Sequence, residues 1–114
     1  MGAINAHGTG TRFNDAMEIT AFRQRFAGNV PLHSIKGAIG HCLGAAGVIE
    51  AAIAIKSLAA GQIPPTVGLE EPDKELGNLA GGTMFDLLHP SIISCNSGFG
   101  GINAAVMLTK AGTD

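Results

Sequence analysis

"KGAIGHCLGAAGVIEAAIAIKSLAAG", residues 36–61, decides how the chain folds. Its first six residues are glycine-punctuated and read as a loop. From Cys42 to Ala60 the composition turns to Ala, Ile, Leu and Val, with Glu50 and Lys56 the charged interruptions, and Gly61 stands in the C′ position where helices end. This predicts one long helix, Cys42–Ala60. It is apolar nearly all round, as a helix buried on every side is. Its charges and its Ala/Gly content fit burial in protein rather than lipid, so no membrane span is expected.

Outward from that helix, "NVPLHSI" before it reads as a turn into a short strand. At the N-terminus "GAIN" (2–5) is a strand end, followed by the alternating loop "HGTGT" (7–11) and by Asn14, a good N-cap for a helix over Asp15–Phe26. Met17, Ile19, Ala21, Phe22 and Phe26 give that helix an apolar stripe. Residues 62–90, with Pro64, Pro65, Pro72 and the acidic run "EEPDKE", lack a period and read as loops. "SIISCNS" (91–97) and "NAAVMLTK" (103–110) are β-like runs joined by "GFGGI", and "AGTD" reads as a frayed tail. Alternating strands and helices predict an α/β class, with a mixed sheet packed on the buried Ala/Gly-rich helix.

A chain of 114 residues, 46% hydrophobic and 14% charged, suits one soluble unit with one core. The net charge of −2 and scattered Lys and Arg exclude a basic footprint for nucleic acid or membrane. No signal-peptide pattern opens the chain, so a cytoplasmic protein is expected. Cys42 and Cys95 form no metal or disulfide pattern and read as reduced thiols. Seventeen glycines with no Trp or Tyr point to close backbone packing.

His7 and His41 are flanked by small residues in "AHGTGT" and "IGHCLG", so a substrate meets little obstruction on the way to either ring. Two readings remain open: buried histidines satisfied by backbone carbonyls, or a pair whose Nε2–H groups together polarise a carbonyl oxygen. Placement of both beside strand-to-helix loops favours the second. His33 and His89 read as packing or surface residues. Lys36 is expected to pair with Glu18 or Asp15 on the first helix. Zinc lacks a third ligand at a suitable offset. The glycine runs lack the remaining residues of a phosphate loop or a dinucleotide fingerprint. His41 and Cys42 point about 100° apart on a helix, which disfavours a nucleophilic dyad.

Together, "INAHGTGTRFNDAMEI", "SIKGAIGHCLGAAGVIEA" and "CNSGFGGINAAVML" resemble, in order and spacing, the C-terminal half of the 3-oxoacyl-[acyl carrier protein] synthases, elongating condensing enzymes of thiolase fold. The resemblance runs from Ile4 to Lys110. It implies that His7 and His41 assist decarboxylation of a malonyl thioester and stabilise the thioester oxyanion. It also makes Lys36 the orienting lysine and Glu18 its acidic partner, with Asp15 supporting. Thr9 and Thr11 would then bind the phosphopantetheine arm, and Phe99, between Gly98 and Gly100, would gate the acyl pocket. Asn5, Glu50 and Asn96 fall where some members hold a structural monovalent or divalent cation; no cofactor is implied for catalysis. The family's nucleophilic cysteine matches neither Cys42 nor Cys95. Residues 1–114 are therefore expected to be a C-terminal domain that works with a separate nucleophile-bearing N-terminal half, and to be inactive without it. The implied partners are acyl carrier protein bearing malonyl or acyl groups, that other half, and a second copy in a homodimer. The chain departs from the family in having Cys42 where Thr is usual and a "CNSGFGG" segment one residue short. A non-catalytic scaffold that keeps the fold and docks a partner is the alternative expectation.

Overall fold

The computed structural model describes residues 1–26, 30–76 and 81–112. Strand β1 (Ala3–Asn5) leads through a loop into helix α1 (Arg12–Phe26), then strand β2 (Leu32–His33) and a single helical turn α2 (Lys36–Ile39). A 3-10 turn at Leu43–Ala45 opens helix α3 (Ala46–Ala60), which Gly61 ends in the left-handed conformation at φ 73°. Strands β3 (Gln62–Ile63) and β4 (Phe85–Asp86) form a small antiparallel pair within the stretch expected to be loops. Strands β5 (Ser91–Ser97) and β6 (Asn103–Thr109) follow.

The main sheet has the order β2-β1-β5-β6, with β1 parallel to both neighbours and β6 antiparallel to β5. Successive strand residues face opposite ways, and this divides the core in two. Ala3 and Ile92 pack with Ala54 and Leu58 of α3 and with Ile63, whereas Ile4 and Leu32 pack against Phe22 and Phe26 of α1. The sheet is thus held between α1 and α3. Fully burying a side chain such as Ile4, Ile63 or Ile92 contributes about 1.5–3 kcal/mol. The mixed α/β arrangement agrees with the expected class.

Four expectations need correction. Helix α1 starts at Arg12, three residues early, because the Asp15 N–H already bonds the Thr11 carbonyl. Asn14 therefore lies inside the first turn, and its side-chain amide serves Glu18 rather than a free backbone N–H. "KGAIGH" contains a helical turn, closed by the Gly40 N–H on the Lys36 carbonyl. The Ala-rich helix is buried on one face only, through Ala46, Glu50, Ala54, Ser57 and Leu58; Val48 on its other face is 76% exposed and Ile55 57%. Its length and apolar character would also suit a membrane, but here it serves as a core helix under the sheet.

Candidate functional site

The site grows out of the carboxyl ends of the three parallel strands, where ligands of open α/β sheets bind. Strand β1 delivers Asn5 and then His7, β2 delivers His33, Ser34 and Lys36, and β5 carries Asn96 near its end. The chain makes these ends meet by a close approach. Gly8 adopts φ 50°, and a Cβ there would lie 2.4 Å from the Ser34 Cβ. Glycine meets both demands. The Ser34 hydroxyl then donates to the Gly8 carbonyl at 3.0 Å and ties the two loops. In "HGTGT", the first glycine is thus required by the fold itself.

Glu18, buried on α1, holds the start of that loop. Its Oε1 accepts from the His7 backbone N–H and its Oε2 from the Gly8 N–H, each at 2.8 Å, and Asn14 Nδ2 donates to the same Oε2. The expected pairing of Lys36 with Glu18 or Asp15 is therefore incorrect: Glu18 is already committed to backbone donors. Lys36 instead forms a buried ion pair with Glu50 of α3. The pairing follows from the helix, since a carboxylate at the centre of an apolar helix face needs a counter-charge. Glu50, the one acidic residue of that helix, was the signal in the sequence. Asp15 lines the adjoining cleft and accepts from Asn14 Nδ2 at 3.2 Å.

The two histidines converge, with ring centroids 5.1 Å apart and planes at 80°. His7 is buried, and its Nδ1 lies 3.3 Å from Asn96 Oδ1. Asn96 Nδ2 in turn donates to Glu50 Oε2 at 2.6 Å. His41 is exposed, and its Nδ1 accepts from the Leu43 N–H at 3.0 Å. Leu43 pays for that contact with a left-handed φ of 50°, among the described residues the one such value outside glycine. A cleft of about 810 Å³ runs from His41 and Lys36 past Thr9 and Glu18 to Thr66 and Leu76.

The remaining residues are placed as follows. Thr9 and Thr11 share a hydroxyl–hydroxyl hydrogen bond of 2.8 Å beside the cleft. Phe99 is fully exposed at the tip of the β5–β6 turn, which the Gly98 N–H closes on the Ile102 carbonyl and where Gly100 has φ 80°. Within the described residues it covers nothing. Asn5, Glu50 and Asn96, the candidate cation residues, lie close together through the Glu50–Asn96 hydrogen bond and the neighbouring strands β1 and β5. Asn5 Oδ1 is buried without a partner, but Asn5 Nδ2 is turned to Ser94, Glu50 shares its charge with Lys36, and the Asn96 oxygen faces His7. Among the described residues no cluster of His, Cys, Asp and Glu suits a metal.

Neither cysteine is set up as a nucleophile. Burial, reinforced by the Glu18 and Glu50 carboxylates, pushes the Cys95 thiol up to about 11, which keeps it protonated. Cys42 Sγ has the Gly40 carbonyl at 3.9 Å. His33 carries no chemistry of the site. It is fully buried, neither ring nitrogen has a partner among the described residues, and burial lowers its pKa to about 4. His89 is exposed.

Known proteins share this fold. Residues 1–70 match the domain described as "Beta-ketoacyl synthase, C-terminal domain". The tetracenomycin polyketide synthase ketoacyl synthase alpha subunit of Streptomyces glaucescens is 43% identical over 94% of this chain and 26% of its own length. A beta-ketoacyl synthase from Burkholderia phymatum superimposes with a TM-score of 0.91 at 32% identity, over 97% of this chain and 28% of its own. The AntDE:AntF structure, a type II PKS acyl-carrier protein in complex with its ketosynthase bound to the hexaketide, superimposes with a TM-score of 0.88 at 25% identity, over 96% and 28%. The chain spans about a quarter of the length of the curated relatives it matches.

Proposed function

Since the chain belongs to the beta-ketoacyl synthase family, matching its C-terminal domain, we propose that it supplies the two histidines of an enzyme that elongates an acyl chain by decarboxylative Claisen condensation. The malonyl carboxylate leaves as carbon dioxide, and the electron pair of the broken C–C bond forms a new bond to the carbonyl carbon of an acyl thioester. A cysteine thiolate departs from that carbonyl. The nucleophilic cysteine comes from a segment outside these 114 residues, because Cys95 is held protonated and the Cys42 thiol is turned to the Gly40 carbonyl.

The observation that carries this reading is the convergence of His7 and His41 at 5.1 Å beside a cleft of thioester size. A neutral His41 whose Nδ1 accepts the Leu43 N–H carries its proton on Nε2, ready to donate to a thioester oxygen as negative charge develops there. Lys36 stabilises Glu50, and Glu18 holds the backbone of His7 and Gly8. Thr9 lines the way in, Thr11 is hydrogen-bonded to it, and their hydroxyls suit the amides of a phosphopantetheine arm. Phe99 gates the acyl pocket once the second half of the enzyme packs beside it. The partners are malonyl and acyl groups on an acyl carrier protein, the nucleophile-bearing half, and a second copy of the assembled enzyme. The setting is cytoplasmic.

The test exchanges His7→Ala or His41→Ala in the chain assembled with a nucleophile-bearing half. Malonyl decarboxylation should fall by at least a hundredfold in each variant, while acylation of the cysteine proceeds. Decarboxylation retained by both variants would remove the histidines from the chemistry.

A further inference from the structure

We infer that Asn96 is a positioning residue that fixes the tautomer of His7, leaving its Nε2 bare, opposite to His41, whose Nε2–H is set by the Leu43 backbone N–H. This rests on the reading of the two rings as the reacting pair.

The assignment follows from which groups are able to donate. A carboxylate without a proton only accepts. Glu50, ion-paired to Lys36, is such a carboxylate, so the Asn96 group 2.6 Å from its Oε2 is the amide NH2. The Asn96 carbonyl oxygen is therefore the atom facing His7 Nδ1 at 3.3 Å. A carbonyl accepts as well, so His7 Nδ1 carries the hydrogen, and a neutral imidazole with a hydrogen on Nδ1 has a lone pair on Nε2. At His41 the logic reverses: the Leu43 backbone N–H only donates, so Nδ1 is bare and Nε2 carries the hydrogen.

The chain Lys36–Glu50–Asn96–His7 thus transmits the charge of a buried lysine into the tautomer of His7. Its members come from four places in the fold: the start of α2, the middle of α3, the end of β5 and the loop after β1. The expectation that two Nε2–H groups polarise one oxygen together is replaced by a division of labour. His41 is the neutral donor, and His7 offers an acceptor to a proton-bearing group such as water or a carboxylic acid.

Long-range proton–nitrogen correlation NMR on the isotope-labelled full chain, alone or assembled with the other half, reads both tautomers directly. At a pH where both rings are neutral, His7 should show a protonated Nδ1 and His41 a protonated Nε2. Asn96→Ala should move His7 toward the Nε2–H form while His41, held by Leu43, stays unchanged. A His7 that carries its hydrogen on Nε2 in the unsubstituted chain overturns the inference, whether or not the variant folds. So does a His7 that remains Nδ1–H in a folded Asn96→Ala. The decarboxylation assay judges the proposed function separately, since a tautomer is recorded without turnover.

Discussion

Lys36 and Glu50 are each almost completely enclosed, and neither has water to turn to when its partner is lost. Removing one partner of a buried pair costs about 3–5 kcal/mol because the other charge stays behind. Lys36→Met should therefore destabilise the chain by about that much in urea unfolding, and adding Glu50→Gln, which keeps an acceptor for Asn96, should recover a large part. Additive losses would mean that the two charges are not coupled. His33 makes a second prediction. In the folded chain it stays neutral down to about pH 4, whereas in the unfolded chain it takes a proton near 6.5. Lowering the pH through that window protonates the unfolded state alone, so stability falls from 6.5 to 4, by about 3 kcal/mol for this group. His33→Leu should flatten that part of the pH dependence; an unchanged profile would contradict it. At this scale the sequence was partly legible. His7, His41 and Lys36 stood out by their small neighbours and their motifs, but the partners of Lys36 and Glu18 did not. The reading offered Glu18 or Asp15 for the lysine, and that Glu50 faces it instead depends on the packing of α3 rather than on spacing.

The elements depend on close approaches that the motifs conceal. Gly8→Ala would push a methyl carbon into Ser34 and force a left-handed φ on a side chain. It should lower stability by about 1–3 kcal/mol and, by displacing the next residue along from His7, lower decarboxylation in the assembled enzyme more than it lowers acylation. Equal loss of both would show a folding defect alone. Gly10, with open space around it, should tolerate more than Gly8 does despite its own positive φ. The body and end of α3, the strand pair β5–β6 and the left-handed Gly61 follow directly from composition and turn residues, whereas the α-helix starts at Ala46 rather than Cys42, after the 3-10 turn Leu43–Ala45. The start of α1 and the turn α2 do not: the first was set by a backbone bond from Asp15 to Thr11 and the second by one from Gly40 to Lys36. The short pair β3–β4 joins residues far apart in a proline-rich stretch, and no local period announces it.

At the scale of the molecule, apolar side chains among the described residues remain uncovered on α3 and β6, as they do at Phe13 and Met17 of α1. Val48 and Ile55 face outward from α3, and six of the seven residues of β6 are exposed. An edge strand and an apolar helix face of this kind are surfaces that another segment covers. The expectation of a helix buried on every side is not met in this chain, where α3 buries one face only. Val48→Lys with Ile55→Glu should leave the folded chain as stable within about 0.5 kcal/mol, as surface changes do, yet abolish its association with a nucleophile-bearing half. Retained association would place the contact elsewhere. The most direct measurement is light scattering of the chain mixed with that half, with malonyl decarboxylation followed on the same sample. A complex whose mass is the sum of its parts, with decarboxylation that neither part has alone, is the predicted result. Two species that stay apart and a mixture without activity would contradict the account, and would leave the histidine pair as a feature of the fold.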